Sequence, residues 1–148
     1  MDQTVGAGSR LDRPTCRVVR ARKSFEGKQG LAHVRGISAE SVGASGLCMH
    51  MEMIPPGGRA SAHLHEKHET AIYVLSGTAE MWFGEGLSEH LTVAAGDYLS
   101  IPANMPHLPA NPSAPETCVA VLARTDPNEQ ESVLLLPRLE PVGLASTG

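Results

Sequence analysis

The sequence lacks most of what would send a chain to a membrane, a nucleic acid or a disulfide scaffold. No apolar run approaches the roughly 18 residues that a membrane-spanning helix needs, and the opening "MDQTVGAGSR" lacks the basic-then-apolar order of a secretion signal. A cytoplasmic protein that does not enter a membrane is expected. Positive charge is sparse, 12 Lys and Arg against 16 Asp and Glu for a net charge of -4. Only "RVVRARK" (Arg17 to Lys23) is locally basic, which gives no nucleic-acid footprint. The cysteines, Cys16, Cys48 and Cys118, are odd in number and form no CxxC pair. Neither a zinc ribbon nor a disulfide framework is indicated. Phe25, Tyr73, Trp82, Phe83 and Tyr98 are all the aromatics, too few for a site built on stacked rings.

What remains is a globular composition, 41% apolar and 19% charged over 148 residues, enough chain for one domain with a sizeable core. The apolar segments are short and alternate. "GLCMHMEMI" sets Leu47, Met49, Met51 and Met53 against Cys48, His50, Glu52 and Ile54, the period-2 pattern of a strand with two unlike faces. The methionine stripe reads as the inner face, packing the core or else lining a pocket. "LAHVRGIS", "TAIYVLSG", "EHLTVAAGD", "YLSIP" and "PETCVAVLART" read as further strands, and "TAEMWFGEG" as the hairpin partner of "TAIYVLSG". "DPNEQES" has the Asp cap and following proline of a short helix. Strands recurring roughly every ten residues, with turn signals between, predict an all-β sandwich or barrel. A mobile N-terminus (1–14), a single domain (15–140) and a tail (141–148) are the expected divisions.

Against this background the histidines are crowded. Seven occur in the chain, and "GGRASAHLHEKHET" holds His63, His65 and His68, with Glu66 and Glu69 among them. His63 and His65 stand two apart on a strand, so their imidazoles share a face and can converge on one ion, while Leu64 points away. His107 follows "IPANMP", whose Pro102 and Pro106 stiffen the turn before it.

Two spaced segments carry a resemblance. Gly57-x5-His63-x-His65-x3-Glu69, running on to Gly77, and Gly96-x5-Pro102-x-Asn104-x2-His107-x3-Asn111 are similar to the two consensus motifs of the cupin superfamily. Motif 1 spans 57–77 and motif 2 spans 96–111. The resemblance implies a single cupin jelly-roll β-barrel (a double-stranded β-helix) and a metal held by His63, His65, Glu69 and His107. Two departures stand out. Asn104 takes the place of a glycine, and asparagine tolerates the left-handed backbone needed there. Counted back from Gly77, the glutamate position falls on Thr70, one residue after Glu69. If the extra residue is absorbed after Glu69, the carboxylate is a ligand; if the strand keeps register from Gly77, Thr70 faces the site and three histidines bind.

The donor set suits one divalent transition metal, iron, manganese, zinc, nickel or copper, without choosing among them. The expected function is a metal-dependent enzyme on a small polar metabolite. Oxygenase-type chemistry is favoured over sugar-phosphate or keto–enol isomerisation and decarboxylation, and a non-enzymatic metal- or ligand-binding module is the alternative. His68, as a proton shuttle or a substitute metal ligand, and Tyr73 at the cavity are the candidate catalytic residues; Glu80 and Arg59 could also reach it. His50 reads as a surface or edge residue, and His33 and His90 carry no argument. Cupins commonly dimerise through N-terminal strands, and "TCRVVRARKSFEG" alternates enough to be one, so a homodimer is expected.

Overall fold

A computed structural model describes residues 14–20, 24–130 and 132–140. The expected mobile ends therefore lie, but for Pro14, outside the described residues. The strands are β1 (Ser24–Glu26), β2 (Ala32–Ile37), β3 (Cys48–Ile54), β4 (His63–His65), β5 (Thr70–Ser76), β6 (Thr78–Phe83), β7 (Glu89–Ala94), β8 (Tyr98–Ile101), β9 (His107–Ala110), β10 (Cys118–Arg124) and β11 (Val133–Leu135). They form two antiparallel sheets, one ordered β1-β2-β3-β10-β5-β8 and the other β11-β4-β9-β6-β7. This is the jelly-roll arrangement of two facing sheets, with no closed ladder joining them among the described residues. Of the segment expected as an N-terminal strand, 24–26 pair with β2, 15–20 are irregular and 21–23 lie outside the description.

Two expectations fail on local grounds. β5 and β6 are not a hairpin: β5 pairs with β10 and β8, and β6 with β7 and β9. Gly77 between them has φ 80 and leaves no room for a Cβ, which would sit 2.6 Å from the Thr117 carbonyl oxygen. The chain uses that bend to cross from one sheet to the other, a corner that strand periodicity does not reveal. The described residues of "DPNEQES" form no helix; the Asp126 carboxylate instead accepts from the Asn128 amide at 3.0 Å, closing a turn. The helix α1 (Ala39–Val42) lies elsewhere, capped by Ser38.

Burial alternates sharply along β3 and β10. Cys48, His50, Glu52 and Ile54 point inward from β3, as do Cys118, Ala120, Leu122 and Arg124 from β10. The methionine stripe is thus the outer face, with Met49 46% exposed. Period-2 alternation separates two faces but cannot say which is inside, and here the inner face carries the polar groups of a site. The apolar part of the interior joins Ile54, Val74 and Cys118 of the larger sheet to Ala79 of the smaller. The smaller sheet's outer side is covered in turn: Leu108 and Ala110 pack with Leu87, Leu136 and Leu139. Among the described residues the larger sheet has no such cover, and Met49, Tyr73, Leu75 and Tyr98 stand exposed on it.

Candidate metal centre

β4 and β9 lie side by side in the smaller sheet, and His63 is paired directly with His107. Alternation puts His65 on the same inward face as His63. The three rings pack at centroid distances of 4.2 to 5.5 Å. One ring nitrogen from each lies within 4.8 Å of the others. Small ring movements bring such nitrogens to the 2.0–2.1 Å typical of metal–imidazole bonds. All three residues are buried. The Nδ1 of His63 lies 2.7 Å from the Ser61 carbonyl and that of His107 2.8 Å from the Met105 carbonyl. A carbonyl only accepts, so each Nδ1 carries the proton and each Nε2 presents its lone pair to the shared space. The residues fit an ion.

Burial lowers the pKa of all three histidines, and the neighbouring histidines and Arg124 lower it further. His107 is brought to about 3. Neutral imidazoles are the form that ligates.

The proposed fourth ligand does not join them. Glu69 is exposed and its backbone amide donates to Thr125 Oγ1 at 3.1 Å, whereas Thr70 is buried and lines the cavity. Lys67, at φ 65, absorbs the extra residue before the strand begins, so β5 keeps its register from Gly77. The Lys67 amide donates to Asn104 Oδ1, and the Asn104 amide to the His65 carbonyl, tying the two motif turns together. Asn104 itself has φ 65, the left-handed backbone expected of it.

Both candidate catalytic residues lie outside the cavity lining. His68 is half-buried in the turn, with Nδ1 3.4 Å from Thr125 Oγ1. Tyr73 points out of β5 and packs on Tyr98 at 4.8 Å. Arg59 pairs with Glu140, away from the lining, while Glu80 does line the cavity and also bonds His90 at 2.8 Å.

Besides Thr70, the alternative left open by the count from Gly77, the cavity takes polar groups from residues not singled out by the sequence: Glu52, Arg124 and Gln29, set among Ile72, Val74, Leu99, Ile101 and Leu122. Glu52 Oε2 lies 3.1 Å from His33 Nε2. Burial pushes the Glu52 carboxyl up, but its hydrogen bond to His33 and attraction to His33, His63 and Arg124 outweigh that and hold it below the usual range. His50, far from being a surface residue, is 4% exposed and packs edge-on against His33 at 4.8 Å. The available signal was phase: Glu52 shares a face with His50, and Arg124 closes the inward series of β10.

A model of the cupin domain matches residues 50–122. That span contains all three histidines and strands of both sheets of the jelly roll.

The chain belongs to the cupin superfamily.

Among solved cupin structures it is similar to the polyketide cyclase RemF from Streptomyces resistomycificus, with TM-score 0.66, 23% identity, and 82% of this chain and 86% of that one covered. It is also similar to the Lactobacillus farciminis oxalate decarboxylase, solved as a formate complex, with TM-score 0.65 and 22% identity over 84% of this chain and 37% of that one. The Bacillus subtilis oxalate decarboxylase, described with Mn(II) centres, gives TM-score 0.62 and 18% identity over 78% of this chain. The chain thus spans 30% to 37% of the length of these decarboxylases. At these identities the likeness is one of fold. No curated protein matches the chain significantly. Among the described residues no helix is long and apolar enough to cross a membrane.

Proposed function

We propose that this cupin is a metal-dependent enzyme acting on a small polar metabolite, with oxygenase-type chemistry. The observation that supports this best is the convergence of three buried, neutral histidines, joined by no carboxylate among the described residues. Such a set leaves a bound ion's charge undiminished and its remaining positions free for a chelating substrate and dioxygen. The ion would supply Lewis-acid polarisation of substrate oxygens and a place for dioxygen.

The chain's own groups do the rest. The carbonyls of Ser61 and Met105 fix the tautomer of two histidines. Glu52, ionised and held by His33, is a cavity carboxylate positioned to accept a substrate proton. Ile72, Val74, Leu99 and Ile101 exclude water from around it.

The apolar face of the larger sheet, exposed among the described residues, supports a homodimer with that face at the interface. Three free cysteines, two of them buried, fit a reducing cytoplasmic setting.

Loading the purified chain with iron, manganese or zinc and screening small hydroxy, keto and sugar-phosphate compounds with and without air tests the reading. Oxygen-dependent product with iron is the expected result. Turnover that ignores oxygen would overturn the oxygenase assignment, and tight ligand binding without any product would favour a binding module.

A further inference from the structure

Arg124 ends β10 with its side chain turned inward, 4% exposed and lining the same cavity as His65. Its Nε donates to the Thr70 hydroxyl at 3.0 Å, across the β5–β10 ladder where the two residues are paired. Its other close neighbour is the Cys48 thiol, which burial keeps protonated. Glu52 and Asp126 attract it, yet no carboxylate among the described residues lies within ion-pair distance; Glu52 is taken by His33. A buried guanidinium with no carboxylate in ion-pair contact is costly, and an anion bound in the cavity would offset that cost.

The strand register sharpens this. Position 70, to which the motif assigns a carboxylate when counted from Gly77, delivers a hydroxyl that orients a cation instead. The site therefore gains positive charge where a ligand carboxylate would have removed it. The cavity is small, about 40 Å³, room for about three water-sized groups.

We propose that Arg124, oriented by Thr70, is the seat for a substrate carboxylate, so that the cavity selects small carboxylic acid anions of a few heavy atoms. The planar fork of the guanidinium matches a carboxylate's two oxygens, and the apolar walls strengthen that bond. The inference deepens the enzyme reading and rests on it for the cavity being a substrate site.

The probe is glycolate, with glycolamide as its neutral counterpart, titrated by calorimetry into zinc-loaded and chelator-treated wild type. Glycolate is expected to bind about 10- to 100-fold tighter than glycolamide, the range for a hydrogen bond to a charged partner. Arg124→Met should lose that preference while zinc content stays unchanged. Thr70→Glu, which places a carboxylate against the guanidinium, should abolish glycolate binding and keep zinc. Equal affinity for the two probes, undetectable glycolate binding, or an Arg124→Met chain that still prefers glycolate would each overturn the proposal. The wild-type comparison needs no variant to fold. Zinc bound without an Arg124-dependent preference sinks this inference and leaves the metal centre standing; the preference without zinc does the reverse.

Discussion

His63 and His107 face each other directly across the β4–β9 ladder, with ring centroids 4.2 Å apart, although they stand 44 positions apart in the chain. This pairing makes a metal site out of two distant motifs. One divalent ion per chain is expected by elemental analysis. His63→Ala or His107→Ala should abolish it, because two remaining imidazoles hold an ion poorly. Glu69→Gln, His68→Ala and Tyr73→Phe should leave metal content unchanged, since all three residues lie outside the cavity lining. Loss of the ion from Glu69→Gln would contradict this placement.

Glu52 and His33 form a buried pair at 3.1 Å. Replacing His33 by Ala strands the carboxylate and should cost about 1–3 kcal/mol in urea unfolding, the scale of an unsatisfied buried polar group. Glu52→Gln should fold and bind metal but lose about 100-fold or more in turnover, if a positioned proton acceptor is removed. Full activity in Glu52→Gln would remove the proton-acceptor role.

Acid should destabilise the metal-free chain through its buried histidines. His50 is brought to about 3 by burial, then by His33 and Arg124, and His107 likewise to about 3 by burial and His63. The unfolded chain binds these protons near pH 6.5 and the folded one does not, so stability is complete above that pH. It falls as pH drops from about 6.5 toward 3, by up to about 1.4 kcal/mol per pH unit for each such histidine. Thermal melts of chelator-treated protein from pH 8 to 4 check the sign; a melting temperature that rises on acidification contradicts it.

The outer face of the larger sheet exposes Met49 at 46%, Leu75 at 47% and Tyr98 at 82%. Tyr98→Glu with Met49→Lys should turn the expected dimer into a monomer by light scattering. Each change should alter chain stability by no more than about 0.5 kcal/mol, as for exposed sites. A wild type that is already monomeric at micromolar concentration would end the dimer reading.

Core packing gives a separate test. Leu108 is fully buried on the other side of the smaller sheet, against Ala110, Leu87 and the C-terminal Leu136 and Leu139. Leu108→Ala should cost about 2–5 kcal/mol. A much smaller loss in urea unfolding would show that the C-terminal segment does not seal that face.

Alternation along "CMHMEMI" and "CVAVLAR", and glycines and prolines at regular intervals, are local properties, so the strands and the all-β class were legible in the sequence. So was the convergence of His63 with His65, because a two-residue step on a strand preserves the face. The spacing of the second motif pointed to His107 as their partner. Three things were decided only by the tertiary structure. Which face of β3 is inside depends on what packs opposite, and the polar side won because the interior holds a site. Whether Glu69 or Thr70 faces that site depended on where one extra residue was absorbed, and a left-handed Lys67 bound to Asn104 absorbed it outside the strand. Arg124 and Glu52 entered the cavity through pairings with Thr70 and His33, residues 54 and 19 positions away in the chain. Such contacts are set by sheet order and register, which no local pattern encodes.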